Sequence, residues 1–261
     1  MIARKTWQDV KLMTIGYTLL LEILLIPAVL LYPELRNHHE TIARMIPMKM
    51  LRDMFESMGD LEAGYLNYMA AQMFFKGTNF VGLAGAILLT TGMIAREREN
   101  RTLEFLLARP LGRTKILLSK FFVIATSLVV PIFVTSWSAL PLSKIIGESL
   151  DFWHLTIASI HASAFVLLFA SLTCLCSVLG RTQAQTAFWV GGFTVLQAAI
   201  YLIQEIRVAS VFQLSDWSTY GPVMVGNLPL SHLFFQSTVW ILLASAVLVG
   251  IAVAAFRRIT P

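Results

Sequence analysis

The sequence predicts an all-α integral membrane protein. Three observations carry this. Hydrophobic residues make up 57% of the 261 positions and charged residues only 13%. A soluble domain carries about a quarter charged residues, so a water-facing surface cannot be assembled from this composition. Apolar runs of about 20 residues recur, the length a helix needs to cross roughly 30 Å of hydrocarbon. Alternating strand patterns are absent from the sequence, so helices rather than a barrel satisfy the backbone in lipid.

The runs place six spans at about 12–32, 78–95, 116–140, 154–179, 185–204 and 233–256, in one membrane domain covering residues 1–261. Before the first span, 2–11 sets Trp7 among Arg4, Lys5, Asp9 and Lys11, and reads as a short interfacial helix that turns into the span. This stretch is too polar for the apolar region of a cleaved signal, so the first span is expected to be retained.

Orientation follows from the basic residues. Thirteen of the 20 Lys and Arg fall on the side holding both termini and seven on the other, while ten of the 15 acids fall on that other side. The basic side is cytoplasmic by the positive-inside rule. The pI of 9.4 is explained by this bias in short loops, and nucleic acid is not an expected partner. Membrane lipid is.

Two outer loops are long, 33–77 and 205–232. In the first, Leu51, Met54, Phe55 and Met58 recur at helical spacing opposite Lys49, Arg52, Asp53 and Glu56, an amphipathic helix suited to a membrane surface. A second helical piece is expected over 64–75. The other loop carries Trp217, Tyr220, Gly221, Pro222 and Pro229, and its aromatics suit the interface belt.

The densest charge lies in "AREREN RTLEFLLARP LGRTKILLSK", residues 95–120, which holds seven of the 20 basic residues. Thr102 is placed to cap a short helix by accepting from its first-turn N–H groups. Glu104 lies near the positive end of that helix, Leu103, Leu106 and Leu107 make an apolar face, and Pro110 and Gly112 stop it. Thr114 is placed to cap the following helix. A topogenic loop needs only two or three basic residues, which leaves the acids and caps unexplained.

These residues resemble ABC transporter permeases of the type 2 class. The usual pattern there is an acidic-basic-acidic cluster, then Gly-Thr-Leu-Glu, Leu-Leu, a small residue, Arg-Pro, a basic-Thr pair and Gly-Lys. Glu97, Arg98 and Glu99 match the cluster. Thr102, Leu103, Glu104, Leu106, Leu107, Ala108, Arg109, Pro110, Arg113, Thr114 and Lys120 match the rest. Arg101 stands where Gly is common, and Ser119 precedes Lys120 where Gly is common. Glu62, Gly64, Tyr65 and Leu66 match a further short pattern before the second span.

The resemblance implies that 96–115 is a coupling segment docking on an ABC ATPase subunit. It also implies two permease chains, identical or paired, working with two ATPase subunits in the cell membrane. Glu97, Glu99, Arg101, Thr102, Glu104, Arg109 and Arg113 are the expected polar contacts, with Leu103, Leu106 and Leu107 seating the helix and Pro110 ending it. Arg181 and Gln183, in the loop between the fourth and fifth spans, are candidates for a second, smaller contact. No G-x-x-x-x-G-K-[ST] occurs, so ATP and Mg belong on the partner and this chain is not expected to be an enzyme or to bind a cofactor. A permease-like subunit driving an extracytoplasmic partner, as in cofactor or metal-site maturation, is the alternative. An ion-coupled secondary transporter is another, and inverted repeats that would support it are absent from the sequence.

Glu22 sits near the middle of the first span, where an acid costs about 2.5–3.5 kcal/mol on insertion scales, so it faces protein or water. It either lines a pathway or clamps neighbouring helices. Met45, Met48, Met50, Met54, Met58, Met69 and Met73, with His38 and His39, raise a copper reading, but Met54 and Met58 share the apolar stripe and favour packing. His154 and His161 are seven apart and read as packing residues. Neither set is taken as a metal site. Gly82, Gly85, Ala86 and Gly92 mark close helix packing in the second span.

Overall fold

The computed structural model describes residues 2–39, 41, 45, 52, 63–108, 111–227 and 230–259. Among them there is no strand. Helix α1 is Ile2–Asn37. Helix α2, Gly64–Met69, runs into a π-helical segment, Ala70–Gly82, and then α3, Leu83–Thr91. Two five-residue helices follow, α4 at Ala95–Glu99 and α5 at Leu103–Leu107. Helices α6, Arg113–Ile145, α7, Phe152–Leu179, and α8, Gln183–Leu202, come next. Two 3₁₀ turns, Arg207–Ala209 and Val211–Ser215, lead to α9, Trp217–Val225. The short α10, Leu230–Leu233, a π turn, Phe234–Thr238, and α11, Val239–Arg258, end the described chain.

Five segments are long and apolar enough to cross a membrane: Ile2–Asn37, Gly64–Glu99, Arg113–Ile145, Phe152–Leu179 and Gln236–Arg258. They coincide with five of the six predicted spans. The remaining predicted span, 185–204, falls on α8. At 20 residues α8 is about 30 Å long, but Gln183, Gln185, Gly191, Gly192 and Gln197 leave its most apolar stretch short of those of the other five.

The expected separate interfacial helix at the N-terminus is not formed. Residues 2–11 continue into the span as one 36-residue helix, about 54 Å long. Two features of the sequence account for this. No Gly or Pro interrupts 2–11, and one stripe of buried residues runs unbroken from Ile2, Thr6 and Val10 through Tyr17, Leu21 and Leu25 to Tyr32. The helical piece expected over 64–75 is likewise fused to the second span through the π segment. Apart from Arg52, the amphipathic stretch over 51–58 lies outside the described residues, as does Glu62.

The most extensive pairing joins α1 to α6, and α7 packs against α3, α6 and α11. The largest apolar cluster runs from Ile2 and Val10 through Leu89, Ile116 and Phe169 to Phe256, and Leu103 and Leu106 belong to it. A smaller cluster sets Phe74 of the π segment face to face with Tyr220 of α9, ring centroids 4.9 Å apart. A third surrounds Tyr32, Tyr65 and Tyr68.

Several polar groups inside the bundle are paired across helices. The Ser138 hydroxyl on α6 lies 3.0 Å from both carboxylate oxygens of Glu22 on α1. Ser159 on α7 donates to Ser136 on α6 at 2.8 Å. His161, fully buried on α7, donates through Nε2 to the Leu214 carbonyl, and its Nδ1 is 2.8 Å from the Thr238 hydroxyl. At the other end of α8, Arg207 donates to Asp216 Oδ2 at 2.6 Å, and Tyr201 donates to Asp216 Oδ1. Asp216 is almost fully buried, so this pair fixes the 3₁₀ turns onto α8.

Candidate functional site: the charged knob between two spans

The charged segment begins where α3 stops. Gly92 ends α3, and a Cβ there would sit 2.7 Å from the Gln183 side-chain oxygen, so a larger residue would displace that side chain. Three of the backbone groups freed by the break share one partner. Ser177 Oγ on α7 accepts from the N–H groups of Ile94 and Ala95 at 3.0 and 3.1 Å, and donates to the Thr91 carbonyl at 2.8 Å. Helix ends left unpaired in a buried place are costly, and one serine satisfies three groups here.

Helix α4 ends in a Schellman turn. The N–H of Thr102 reaches the Glu97 carbonyl at 2.8 Å, and that of Arg101 reaches the Arg98 carbonyl at 3.1 Å. This pair of bonds places Arg101 at the position that requires a left-handed backbone, and its φ is +55°. Glycine adopts that conformation at no steric cost, whereas a side chain costs about 1–2 kcal/mol. The departure noted in the sequence, Arg101 for Gly, therefore has a structural meaning.

The expected cap at Thr102 is not made. Thr102 accepts no backbone N–H of α5. Its hydroxyl instead donates to Glu97 Oε2 at 2.6 Å, because the Schellman turn brings the first and last residues of the turn together. Thr114 is not the cap of α6 either. Gly112 holds that position, and Thr114 Oγ1 accepts from Arg257 Nε at 2.9 Å.

Three of the four charges of α4 each hold a different helix. Glu97 Oε1 accepts from Lys120 of α6 at 3.0 Å, with Lys5 of α1 at 3.8 Å. Lys120 is buried, and it also donates to the Met93 carbonyl at 2.9 Å. Arg98 forks onto the last carbonyls of α7, reaching Val178 at 3.1 Å, Leu179 at 3.4 Å and Gly180. A cation on a helix C-terminus is favourable. Glu99 accepts from the Gln183 N–H at the start of α8 at 3.1 Å, an anion on a helix N-terminus. Burial pushes the Glu97 carboxyl up, but the Thr102 hydroxyl and the Lys120 and Lys5 ammonium groups outweigh it and hold the carboxyl below its ordinary value.

The other expected site residues divide between inward and outward roles. Leu103 and Leu106 seat α5 on the chain's own core, and Leu107 packs against the same cluster. Arg113 donates to the carbonyls of Arg257, at 2.8 Å, and Ile259, so it caps α11. Glu104 and Arg101 are exposed. Arg109 and Pro110 lie outside the described residues. In the neighbouring loop the Arg181 N–H donates to Gln185 Oε1 at 2.9 Å, and Thr182 caps α8 by accepting from the Gln185 N–H. Glu22, the pathway candidate, is half-buried against Ser138, distant in sequence and in role from the knob.

The sequence reading passed over Phe105. It is 76% exposed at the centre of α5, flanked by Glu104 and facing away from Leu103 and Leu106. The signal was present, because Phe105 is the one large apolar residue of 101–110 that falls off the leucine face. Lys120, Arg98 and Ser177 were also missed as parts of one construction, since their partners are 23 to 86 positions away.

The knob is thus a short helix held rigidly between two membrane-spanning segments, with a small exposed face around Phe105. A search of characterised proteins yields no match to the chain. Its sequence matches the family described as ABC-2 family transporter protein over residues 11–258. That match takes in the knob and all or most of every apolar helix described above, and the chain belongs to the ABC-2 transporter family as a multi-pass membrane permease subunit.

Proposed function

We propose that this chain is the membrane subunit of an ATP-driven exporter, and that α5 is its coupling helix. The observation that carries the reading is Phe105, a large apolar side chain left exposed on a helix whose own apolar face is already buried. A rigid scaffold presenting one exposed aromatic ringed by charge is the form of an interface hot spot. Arg101 and Glu104, exposed next to it in the same segment, are the proposed charged rim. Glu97, Glu99 and Arg113 support the knob from within rather than meeting the partner. Arg181, exposed before α8, remains the candidate for a second, smaller contact.

In this reading six helices span the membrane, both termini and the knob face the cytoplasm, and ATP and Mg are bound by two partner ATPase subunits. A second permease chain completes the assembly. Helix α8 supports that last point. Among the described long helices it alone falls short of the apolarity of a membrane span, yet only Thr186, Val190 and Tyr201 of its residues are buried. Gly191 and Gly192 have nothing within 4 Å of where a Cβ would stand. A lipid-facing helix is expected to be the most apolar, whereas glycines and polar residues favour close contact with another helix.

The test is to reconstitute the chain with its cognate ATPase in nanodiscs and follow ATP hydrolysis. The reading predicts that the chain alters the hydrolysis rate of the ATPase, and that Phe105→Ala with Glu104→Lys removes the effect. An ATPase rate that is indifferent to both the chain and the variant contradicts it.

A further inference from the structure

We infer that Lys120, Glu97 and Thr102 form a strut that makes the coupling helix and α6 one moving body, with Lys120 as its positioning residue. This inference rests on the coupling reading above and adds the route by which a push on α5 reaches the spans.

Helix α5 has five residues and no side-chain cap of its own. What fixes its start is the Thr102 hydroxyl on Glu97 Oε2 at 2.6 Å. The other oxygen of the same carboxylate is held by Lys120 at 3.0 Å. One carboxylate therefore joins the coupling helix to a residue seven positions into a 33-residue spanning helix. Lys120 closes the strut by binding the Met93 carbonyl, which belongs to the break between α3 and α4.

The sequence offers α3 as the obvious route upward, since it leads directly into the segment. That route is interrupted by the turn at 92–94. Helix α6 is not interrupted. It pairs most extensively with α1, and Glu22–Ser138 and Ser136–Ser159 tie it to α1 and α7 further along. The charged groups around Lys120 come from each neighbour: Glu97 from α4, and Lys5 and Asp9 from α1. Arg96 lines the same small cleft. A buried cation is costly unless it is paired, so the strut is held in one geometry rather than sampled among several.

The experiment uses spin labels at Ala108→Cys, on the exposed end of the knob, and Lys144→Cys, at the far end of α6, with Cys174 and Cys176 replaced by alanine. The distance is read in the permease–ATPase complex in nanodiscs, before and after trapping with ATP and vanadate. The strut predicts one distance, unchanged by trapping, because both labels ride on one body. Thr102→Val, which removes only the hydroxyl link, is expected to let the distance change on trapping, and Thr102→Ser to restore constancy. Lys120→Met should behave as Thr102→Val does. A distance that shifts on trapping without these changes, or stays fixed in Thr102→Val, overturns the strut. The chain alone, without ATPase, separates this from failure of the coupling reading: Thr102→Val must then broaden the distance distribution, and an unbroadened one overturns the strut whatever the ATPase does.

Discussion

Glu97 and Thr102 stand at the two ends of one Schellman turn, and their side chains are joined at 2.6 Å. That position of the turn ordinarily holds an apolar contact. Here it holds a hydrogen bond to a carboxylate whose second oxygen belongs to α6. The turn is therefore both a helix stop and a junction between elements.

Arg101 sits in the left-handed conformation within that turn. Arg101→Gly relieves about 1–2 kcal/mol of steric cost and gives back part of it in backbone entropy, for a net gain of about 0.5–1 kcal/mol. Hydrogen exchange over 95–108 should slow accordingly. Arg101→Val should speed it, because a β-branched residue is least tolerant of positive φ.

The pH dependence of the knob follows from Glu97. Its folded carboxyl titrates below the ordinary value of 4.5, so the unfolded state binds a proton first as pH falls. The stabilisation is complete above 4.5 and is lost as pH drops through the lower folded value. Exchange protection of 95–108, measured from pH 6 downward, should fall only in that acid window, and Glu97→Gln should remove the dependence. Loss of protection beginning near neutrality runs against this assignment.

Glu22 and Ser138 form a clamp between α1 and α6. Polar contacts between membrane helices contribute about 0.6 kcal/mol on average and at most about 1.7. Glu22→Ala and Ser138→Ala should each lower thermal stability by about this amount, and the double variant by less than the sum. Strict additivity breaks the clamp and returns Glu22 to the pathway role the sequence left open.

The Arg207–Asp216 pair offers the sharpest stability test on the opposite face. Asp216→Ala strands a guanidinium that is largely covered and should cost about 3 kcal/mol. Pairing it with Arg207→Met should recover most of that loss, because an apolar pair carries no desolvation cost. Thermal unfolding in detergent measures both.

The apolar helices were legible in the sequence because each spans tens of positions, and the bilayer length requirement reads directly from them. The knob was legible as a short helix because Leu103 and Leu106 and the break near Pro110 are local signals. Its wiring was not. Thr102 looked like a cap because threonine before a helix usually accepts, and only the folded turn shows it donating to Glu97 five residues back. Glu97, Glu99 and Arg113 looked outward because charge in a loop usually is. Their partners, Lys120, the Gln183 N–H and the Arg257 carbonyl, are set by how helices pack, which periodicity does not encode. The continuous α1 was hidden by the charge of 2–11, although its buried stripe of Ile2, Thr6 and Val10 keeps the spacing of the span.

The central claim is that the exposed face of α5 is where the motor binds. The most direct measurement is the affinity of the cognate ATPase for the chain in nanodiscs, with and without Phe105→Ala. Truncating a central hot spot costs about 2 kcal/mol or more, and each 1.4 kcal/mol is tenfold. The account predicts binding weaker by well over tenfold, with the fold of the permease unchanged. Equal affinity for both forms contradicts it.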